Sequence, residues 1–589
     1  MREGAAAGTR AGARVVPRAL VPALVLGAAG AVLLILQLSL SARVAGPVIV
    51  ADEFGYLGAA RWLAGADVVP LLGPSPYYWP GYALLLAPLQ VLLGDPADVF
   101  RAAQVLNALL VTAHLAPLFA LARGVLGLDR GRAALVAVAA GASPAALLQS
   151  GFAWTESLVP LLVTCWVLAA AALAARPTAL RAAGLAAIAA AMYLTHPRLV
   201  GVALLTAALL ALLTRSGRLP ARAALGAGAL LAVAVAGTHA LNRVMADRIY
   251  VPGYPGASSR DAVEALGAAG GWADLGLAVA GQAWYLCVAT LGLAPLGVLW
   301  LARRARPALR GLRRGVGADP PAVGALAALA LAGSAFAISC VWMAANFARP
   351  DKLVYGRYNE AFAAVLLAAG LAGLLRASAR RRVAGLLGAA ALLVALGAIV
   401  RVGHGAGPLD GPYSPVTVLG VMPFVRGDGM PVIAVSMAAA LLVAGMAILA
   451  ARAPRAAAAA LVALFALAAL DVSDRHVRTF AETRNAGFPL RALADDLAGL
   501  GPISYDRSDS VDQAADDFAL FAYQWWFDAN PLAFYRADAG ERPPTGLVMA
   551  DAPPPGAGAR RVAGADPALW VLPGPAEDAL VRRGVIPPE

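Results

Sequence analysis

The chain has 589 residues, of which 60% are hydrophobic and only 14% are charged. Soluble domains average about 25% charged residues, so the composition excludes an ordinary soluble protein and indicates a polytopic membrane protein. The formal net charge of +12 does not indicate a nucleic-acid partner, because the basic residues, nearly all of them arginine, lie in short loops between apolar segments.

The first apolar segment, residues 19–41, is longer than the core of about 7 to 15 residues in a signal peptide, and it predicts an uncleaved anchor. A helix that crosses a bilayer needs about 20 apolar residues. By that measure the sequence predicts an α-helical bundle of about thirteen spans: 19–41, 99–122, 133–150, 156–175, 181–195, 199–214, 222–241, 281–302, 322–345, 358–375, 383–400, 432–450 and 456–470. The apolar segment 79–94 contains two prolines, which favours an interfacial or re-entrant helix.

Arginines fall on alternate sides of these spans, in agreement with the positive-inside rule. Every predicted inner loop carries arginine, whereas the outer segments are longer and rich in acidic, aromatic, proline and glycine residues. These outer segments are 42–98, 151–155, 196–198, 242–280, 346–357, 401–431 and the tail from 471. We therefore expect a multi-pass plasma-membrane protein with a cytoplasmic amino terminus (1–18), a transmembrane domain (19–470) and an extracytoplasmic tail (471–589), and we expect its function on the outer face.

The first outer loop, 42–98, begins with an acidic pair, Asp52 and Glu53, in the segment "ADEFGY". Aromatic residues accompany the pair: Tyr56 in that segment, and Tyr78 and Trp79 further on in "PSPYYWPGY". A solvated acidic pair and interface-anchoring rings are the plain alternatives. Sugars, however, stack on such rings, and carboxylates accept hydrogen bonds from sugar hydroxyls.

Two later outer turns add charge. Glu156 in "GFAWTESLVP" lies at the outer end of a span, where a carboxylate can also simply complement the helix dipole. His196 and Arg198 occupy a tight turn in "LTHPRLVG". Because an outer arginine departs from the loop bias, Arg198 needs a partner, either an acid such as Glu156 or an anionic ligand.

The strongest cationic segment is "ANFARPDKLVYGRYNE". It places three cations and two tyrosines in one outer loop: Arg349, Lys352, Arg357, Tyr355 and Tyr358. Contact with lipid headgroups is one explanation, although polybasic headgroup binding is commonest on the cytoplasmic side. A phosphate or diphosphate ligand explains the cluster better, because arginine binds phosphate through two parallel N–H groups.

The tail from residue 471 is long enough for one small domain. Helix patterns cover "FPLRALADDLAGL" and "VDQAADDFALFAYQWWF", and strand patterns cover "GPISYD", "TGLVMA" and "ALWVL". We expect a small α/β domain, in which the Trp525–Trp526 pair braces the structure or binds an acceptor glycan.

Carboxylates, cations and rings at one membrane face suit glycosyl transfer from a lipid-linked phosphosugar. A carboxylate removes the proton of an acceptor hydroxyl as that oxygen attacks the anomeric carbon. Cations stabilise the departing phosphate. The lipid chain lies in an apolar groove between spans.

The chain resembles the GT-C superfamily of integral-membrane glycosyltransferases, in particular the branch related to protein O-mannosyltransferases and aminoarabinose lipid A transferases. The resemblance covers residues 15 to 470 and rests on "ADEFGY", "YYWPGYALLLAPLQVLLG", "FRAAQVLNALL", "TES" and "YGRY". It implies a polyprenyl-phosphate sugar donor, catalysis on the outer face and inversion at the anomeric carbon. The tail does not match a domain of those transferases, which leaves the acceptor open among an envelope glycan, a lipid and an exported protein.

The same resemblance makes Asp52 the catalytic base, with Glu53 beside it as an acceptor-positioning or supporting acid. The predicted site comprises catalytic acids (Asp52, Glu53, Glu156), donor-phosphate ligands (Arg349, Lys352, Arg357, Tyr358, Arg198) and substrate-binding residues (Tyr56, His196, Tyr78, Trp79, Tyr355). No cofactor is predicted; a divalent metal is the alternative, but two adjacent acids make a poor ligand set. A transporter or a noncatalytic envelope-assembly scaffold is the competing function, and the near absence of ionisable residues within the spans argues against transport.

Overall fold

The computed structural model describes residues 21–49, 52–66, 79–249, 259–268, 270–314, 319–345, 350–404, 414–427, 429–508, 518–554, 558–563 and 567–588. Two predicted site residues, Tyr78 and Arg349, lie outside these ranges.

The described chain is mostly helical, because alanine and leucine are strong helix formers and because a bilayer leaves no other partner for backbone groups within a single segment. The helices are α1 (Val21–Ser41), α2 (Asp52–Leu63), α3 (Pro80–Leu93), α4 (Pro96–Ala113), α5 (Leu115–Gly124), α6 (Arg130–Gly141), α7 (Pro144–Leu148), α8 (Val159–Ala175), α9 (Ala179–Thr195), α10 (Val200–Arg215), α11 (Ala221–Ile249), α12 (Ser259–Gly267), α13 (Gly271–Ala289), α14 (Leu293–Arg314), α15 (Pro320–Ala344), α16 (Glu360–Arg376), α17 (Ala379–His404), α18 (Val432–Arg452), α19 (Pro454–Val472), α20 (Thr479–Ala486), α21 (Ala494–Leu497), α22 (Phe518–Trp526) and α23 (Pro575–Arg582).

Within the described ranges, nine helices are long and apolar enough to cross a membrane, and counting two sharply bent pairs as single spans raises the number to eleven. The prediction of a multi-pass membrane protein is confirmed, while the count of thirteen stays a prediction. The segment 281–302, predicted as one span, is instead bent by 101° between α13 and α14. The break follows from the backbone, since Leu291 and Gly292 both have positive φ, at 49° and 75°.

Helix α16 separates two groups of loops. It begins at Glu360, beside the predicted outer loop, and ends at Arg376 in a predicted inner loop. Its 17 residues make it about 25 Å long. The structure therefore places these two loops at opposite ends of the bundle, as the topology requires.

The tail forms a five-stranded mixed sheet of order β2-β1-β3-β5-β4. Its strands are β1 (Ile503–Asp506), β2 (Leu532–Tyr535), β3 (Leu547–Ala550), β4 (Arg560–Ala563) and β5 (Ala568–Val571). Strand β1 pairs in parallel with β2 and β3, and β5 pairs antiparallel with β3 and β4. The α/β prediction is confirmed, with β1, β3 and β5 among the predicted strands; β2 and β4 were not predicted.

Two tail helix predictions have different outcomes. The "FPLRALADDLAGL" segment forms a 3-10 turn over Pro489–Leu493 followed by the one-turn α21, so the prediction of a continuous helix is wrong. Helix α22 is confirmed over Phe518–Trp526, and its predicted first residues, 511–517, lie outside the described ranges.

The tail docks on α2 through Arg61. The Arg61 guanidinium donates to the backbone carbonyls of Gln524 and Trp525, at 2.9 and 3.2 Å, and lies 4.7 Å from the centre of the Trp525 ring. It also pairs with Asp528, at 3.2 Å. Since α2 begins at Asp52, the tail and the acidic loop are braced together by one short helix.

Candidate active site

Four separate segments bring the predicted charged residues together. Asp52 is the first residue of α2, Glu156 lies in a 3-10 turn before α8, Arg198 lies in a 3-10 turn before α10, and Arg357 lies just before α16. Pro197 begins the Arg198 turn, where its fixed φ suits the first helical position. Each segment comes from a different predicted outer loop, so helix packing assembles the cluster.

Arg357 lies between the two acids. Its Nε donates to Oε1 of Glu156 at 2.8 Å and its Nη2 to Oε2 at 3.3 Å, while Nη1 pairs with Oδ2 of Asp52. Although burial alone would lower it, the negative charges of Asp52 and Glu156 raise the pKa of Arg357 well above its usual value. The site therefore holds a permanent guanidinium against the Asp52 carboxylate.

Arg198 completes the cluster on the far side of Glu156. Its two terminal nitrogens donate to Oε1 of Glu156 at 3.3 and 3.2 Å. Of the two partners left open for Arg198, an acid such as Glu156 or an anionic ligand, the structure shows the acid. The predicted role of Arg198 as a donor-phosphate ligand stays a prediction. Thr155 Oγ1 donates a further hydrogen bond to Oε2 of Glu156 at 3.2 Å.

Accessibility distinguishes the four charged side chains. The exposed fraction is 1% for Glu156, 5% for Arg198 and 6% for Arg357, but 30% for Asp52. Of the four, only Asp52 can be reached by a substrate hydroxyl without unpacking the cluster. Glu156 instead holds both arginines in place, so its predicted direct catalytic role is not supported by its position.

Aromatic rings cover the two guanidinium groups. The Arg357 guanidinium lies 4.2 Å from the centre of the Trp154 ring, and that of Arg198 lies 4.3 Å from the Tyr358 ring. Such cation–π contacts strengthen when water is excluded. Tyr355 packs edge-on against Tyr358 with ring centres 4.9 Å apart. The sequence did not single out Trp154, although it lies two residues before Glu156.

His196 supports the Arg198 turn. Its Nδ1 accepts a hydrogen bond from the Arg198 amide at 3.2 Å, and its ring packs edge-on against Tyr358 at 5.7 Å. Burial, Arg198 and Arg357 lower the pKa of His196 well below its usual value, so the ring is neutral. These contacts make His196 a positioning residue for the Arg198 turn, and its predicted substrate contact stays a prediction.

Glu53 is fully buried and does not face the site. Its Oε2 accepts hydrogen bonds from the amides of Val48 and Ile49, both at 2.8 Å, and its Oε1 accepts one from the amide of Ala153 at 2.7 Å. The grouping of Glu53 with catalytic acids is therefore corrected. Of the two roles left open for it, the supporting one fits, because it ties the Asp52 loop to the Glu156 loop.

Glu53→Gln should lower the stability of the protein and change its pH dependence. Burial raises the pKa of Glu53 from 4.5 to about 7, even though the three amides lower it. Between those two values the folded chain binds more protons than the unfolded chain, so stability should fall by at most about 3 kcal/mol as pH rises from 4.5 to 7.

Thermal unfolding midpoints in detergent between pH 4.5 and 7.5 test this expectation. At pH 4.5 the Gln variant should be less stable than the wild type by about 1 to 3 kcal/mol, because the side-chain amide nitrogen cannot accept the hydrogen bonds that one Glu53 oxygen accepts. This difference should shrink as pH rises to 7.5, because only the wild type has the pH dependence that Glu53 confers. Exposed Glu482→Gln is the matched control. Equal slopes in wild type and Glu53→Gln would contradict the assignment.

A polar network in α4, within the second predicted span, supports the Glu156 loop. Gln104 Nε2 donates to the carbonyls of Ser41, Val44 and Gly151 at 3.0 to 3.1 Å. Asn107 Nδ2 donates to the Phe152 carbonyl at 2.7 Å. The segment "FRAAQVLNALL" indicates this polar network, because two carboxamide side chains, three residues apart, interrupt an otherwise apolar helix.

The tyrosines of the first loop are part of the packing. Tyr56 is buried and lies edge-on to Tyr82 at 5.6 Å, and the Tyr82 hydroxyl donates to Asn107 at 3.0 Å. Trp79 packs 4.6 Å from Tyr193 in a separate set of rings that includes His239. Both contacts are with neighbouring side chains of the bundle. The predicted substrate roles of Tyr56 and Trp79 stay predictions.

The loop that carries Arg357 is held by hydrogen bonds to buried groups of neighbouring segments. The amides of Gly356 and Arg357 donate to the Thr417 carbonyl at 3.0 and 2.9 Å. The Tyr285 hydroxyl donates to Glu360 and accepts from the Gly420 amide at 3.0 Å. Lys352 is half-buried at the end of the 3-10 turn earlier in this loop.

Gly356→Ala should displace this loop. A Cβ at Gly356 would overlap the Tyr285 ring, which is fixed by its own hydrogen bonds. We expect a loss of about 1 to 3 kcal/mol in the free energy of unfolding, together with reduced activity. Gly388→Ala is the matched control, because a Cβ there meets nothing within 4 Å. If both variants unfold at the same temperature, the close packing is not required.

Among the described residues, no group of three His, Cys, Asp or Glu side chains lies close enough to share a metal ion. Metal independence stays a prediction.

No protein-family model and no curated protein matches the chain. Among solved structures, ArnT from Cupriavidus metallidurans in the apo state matches with a TM-score of 0.52 over 97% of this chain and 100% of that chain, at 15% identity. The same protein bound to undecaprenyl phosphate gives 0.49 over 94% and 98%, at 16% identity. Arabinosyltransferase EmbB from Mycobacterium smegmatis gives 0.38 over 82% and 43%, at 17% identity. The chain thus has the fold of ArnT, and the expected helical membrane fold with a small C-terminal α/β domain is confirmed.

Proposed function

We propose that this protein is a membrane glycosyltransferase that moves a sugar from a polyprenyl-phosphate donor to a hydroxyl acceptor, with Asp52 as the general base. The observation that carries the proposal is the accessibility of Asp52 beside an otherwise sealed cluster of Arg357, Glu156 and Arg198. At the edge of a buried cationic cluster, the carboxylate can accept a hydrogen bond from the acceptor hydroxyl while the positive charge beside it attracts the donor phosphate. The GT-C fold supports this assignment.

The reaction begins with the acceptor hydroxyl against Asp52. Its oxygen attacks the anomeric carbon as the Asp52 carboxylate takes its proton, and the bond from that carbon to the phosphate oxygen breaks with its electron pair on the phosphate. Attack from the face opposite the phosphate inverts the anomeric carbon. The products are the glycosylated acceptor and polyprenyl phosphate, and the proton then leaves Asp52 to water.

Cations of the loop before α16 stabilise the charge that develops on the phosphate. Arg349 and Lys352 are the proposed phosphate ligands, because the loop that carries them leads into Arg357. The Arg357 guanidinium orients the Asp52 carboxylate, and its positive charge also stabilises the negative charge that develops on the phosphate. Tyr355 and Tyr358 offer ring surface for the sugar, and the acceptor is an envelope glycan, a lipid or an exported protein.

The sidedness of the reaction follows from the charge pattern. Arginine-rich loops lie at the end of α16 that holds Arg376, which we assign to the cytoplasm by the positive-inside rule. Asp52, Glu156 and the tail then face outward, on the plasma membrane's extracytoplasmic side. A donor presented from the outer leaflet would reach Asp52 directly.

A donor panel tests the proposal. Purified protein in nanodiscs is offered radiolabelled polyprenyl-phosphate hexoses and pentoses, and label leaving the donor lipid is measured. We expect release from at least one donor, faster in the presence of an envelope extract that supplies acceptors. Failure to bind or turn over any donor would favour the transporter or scaffold alternative.

A further inference from the structure

A groove of about 950 Å³ opens between α14, α16 and α17 at the end of the bundle away from Asp52. One part of its wall is cationic and the other is apolar. The groove follows the last turns of α16 from Gly370 to Arg376, so it begins about 15 Å from Glu360, the first residue of that helix beside the candidate active site. It has no role in the proposed reaction.

Arginines from three helices form the cationic wall: Arg303 and Arg304 from α14, Arg376 from α16 and Arg381 from α17. Arg304 donates through Nε to the Val125 carbonyl at 2.7 Å, and Arg376 donates to the Gly127 carbonyl. Within the part of the chain that the structure describes, Arg303 and Arg381 make no hydrogen bond or ion pair. Two guanidinium groups are thus fixed and two are free to bind an anion.

The positive charge of this wall is not neutralised by neighbouring acids. No Asp or Glu is among the described residues that line the groove. Asp129 acts on Arg376 from the adjacent loop, but its carboxylate caps α6 through the Arg132 amide at 2.9 Å and pairs with the Arg132 side chain at 3.3 Å. Burial lowers the pKa of Arg376, and the neighbouring positive charge of Arg304 lowers it further.

The apolar wall comes from α14. Leu296, Leu299 and Trp300 line the groove, and the Leu299 side chain is 55% exposed. The Trp300 ring packs on α16 at Gly373, where an added Cβ would meet the ring at 2.7 Å. The arginines follow directly on α14, so an apolar surface leads without interruption into the cationic wall.

We propose that this groove binds an anionic phospholipid from the surrounding bilayer, with its phosphate against Arg303 and Arg381 and its acyl chains along Leu296 and Leu299. The positive-inside rule explains arginines at this end of the bundle, but not their convergence from three helices on one groove with an apolar wall. Basic pockets between membrane helices are suited to anionic headgroups. A free anion would not use the apolar wall.

Native mass spectrometry of delipidated protein tests the proposal. The probes are phosphatidylglycerol, phosphatidylcholine of matched chain length, and inorganic phosphate. We expect phosphatidylglycerol to bind at least about tenfold more tightly than phosphatidylcholine, and Arg303→Gln with Arg381→Gln to weaken it by about 30-fold. Both replaced side chains are exposed, so the fold should persist.

Two further variants separate this groove from diffuse charge attraction. Arg130→Gln with Arg222→Gln removes the same charge from exposed positions at the same end of the bundle and should leave binding unchanged. Ala384→Trp fills the groove without changing charge and should also abolish binding. The proposal is wrong if the control pair weakens binding equally, if Ala384→Trp has no effect, if both lipids bind alike, or if inorganic phosphate alone binds as tightly as the lipid.

Discussion

Asp52→Asn should reduce sugar transfer by about 100- to 10,000-fold, the range expected when a general base is removed. The amide oxygen can still accept the hydrogen bond from Arg357 that the carboxylate accepts in the wild type, so the cluster should keep its geometry. Donor binding should change less than about threefold, because the phosphate ligands are untouched. Single-turnover release of label from the donor, measured beside equilibrium donor binding, separates these two effects.

The control for this prediction is Asp98→Asn. Asp98 is an exposed carboxylate in the first turn of α4, in the neighbouring part of the predicted outer face. It should retain full activity. Transfer by Asp52→Asn within a factor of ten of the wild type would exclude Asp52 as the base, and equal losses in both variants would indicate a surface-charge effect.

Glu156→Gln should be the most destabilising single change in the site. It removes the charge that neutralises Arg198 and Arg357, both of which are nearly inaccessible to water. Breaking a buried ion pair from one side costs about 3 to 5 kcal/mol, because the remaining charge stays buried without compensation. We expect a loss of this size in the free energy of unfolding, measured by denaturation in mixed detergent micelles, together with loss of transfer.

A second substitution shows whether the charge is responsible. Arg198→Gln added to Glu156→Gln removes one uncompensated cation, so the double variant should be more stable than Glu156→Gln alone. Glu482→Gln, on the exposed face of α20, should cost less than about 1 kcal/mol. Wild-type stability of Glu156→Gln, or a further loss in the double variant, would contradict the proposed charge balance.

Local sequence features predicted which segments would form the site. The acidic "ADEFGY", the "TES" turn, the outer Arg198 and the "YGRY" loop were each selected because they departed from the composition around them. Glu156, one of the two kinds of partner expected for Arg198, lies 3.2 Å from it. Burying an ionised group costs free energy unless it has a partner. A charged residue that departs from the loop bias, such as Arg198, therefore indicates that a partner exists, even when the sequence does not identify that partner.

The tertiary structure separated two adjacent acids that the sequence had grouped together. Glu53 and Asp52 are adjacent in sequence and identical in charge, yet one is sealed against three amides and the other is 30% exposed. Their side chains project about 100° apart around α2, so only packing decides which one is buried.

The break between α13 and α14 was not predicted, because hydropathy carries no information about backbone dihedral angles.

The sequence by itself determined the membrane class, the arginine-bearing loops and the segments that supply the charged cluster, because hydropathy and charge are properties of each residue and its near neighbours. Only the tertiary structure decided that Arg357 lies between Asp52, 305 residues away, and Glu156, 201 residues away. Such contacts depend on how separate helices pack. That packing is set by the shapes of many side chains together, which no local pattern contains.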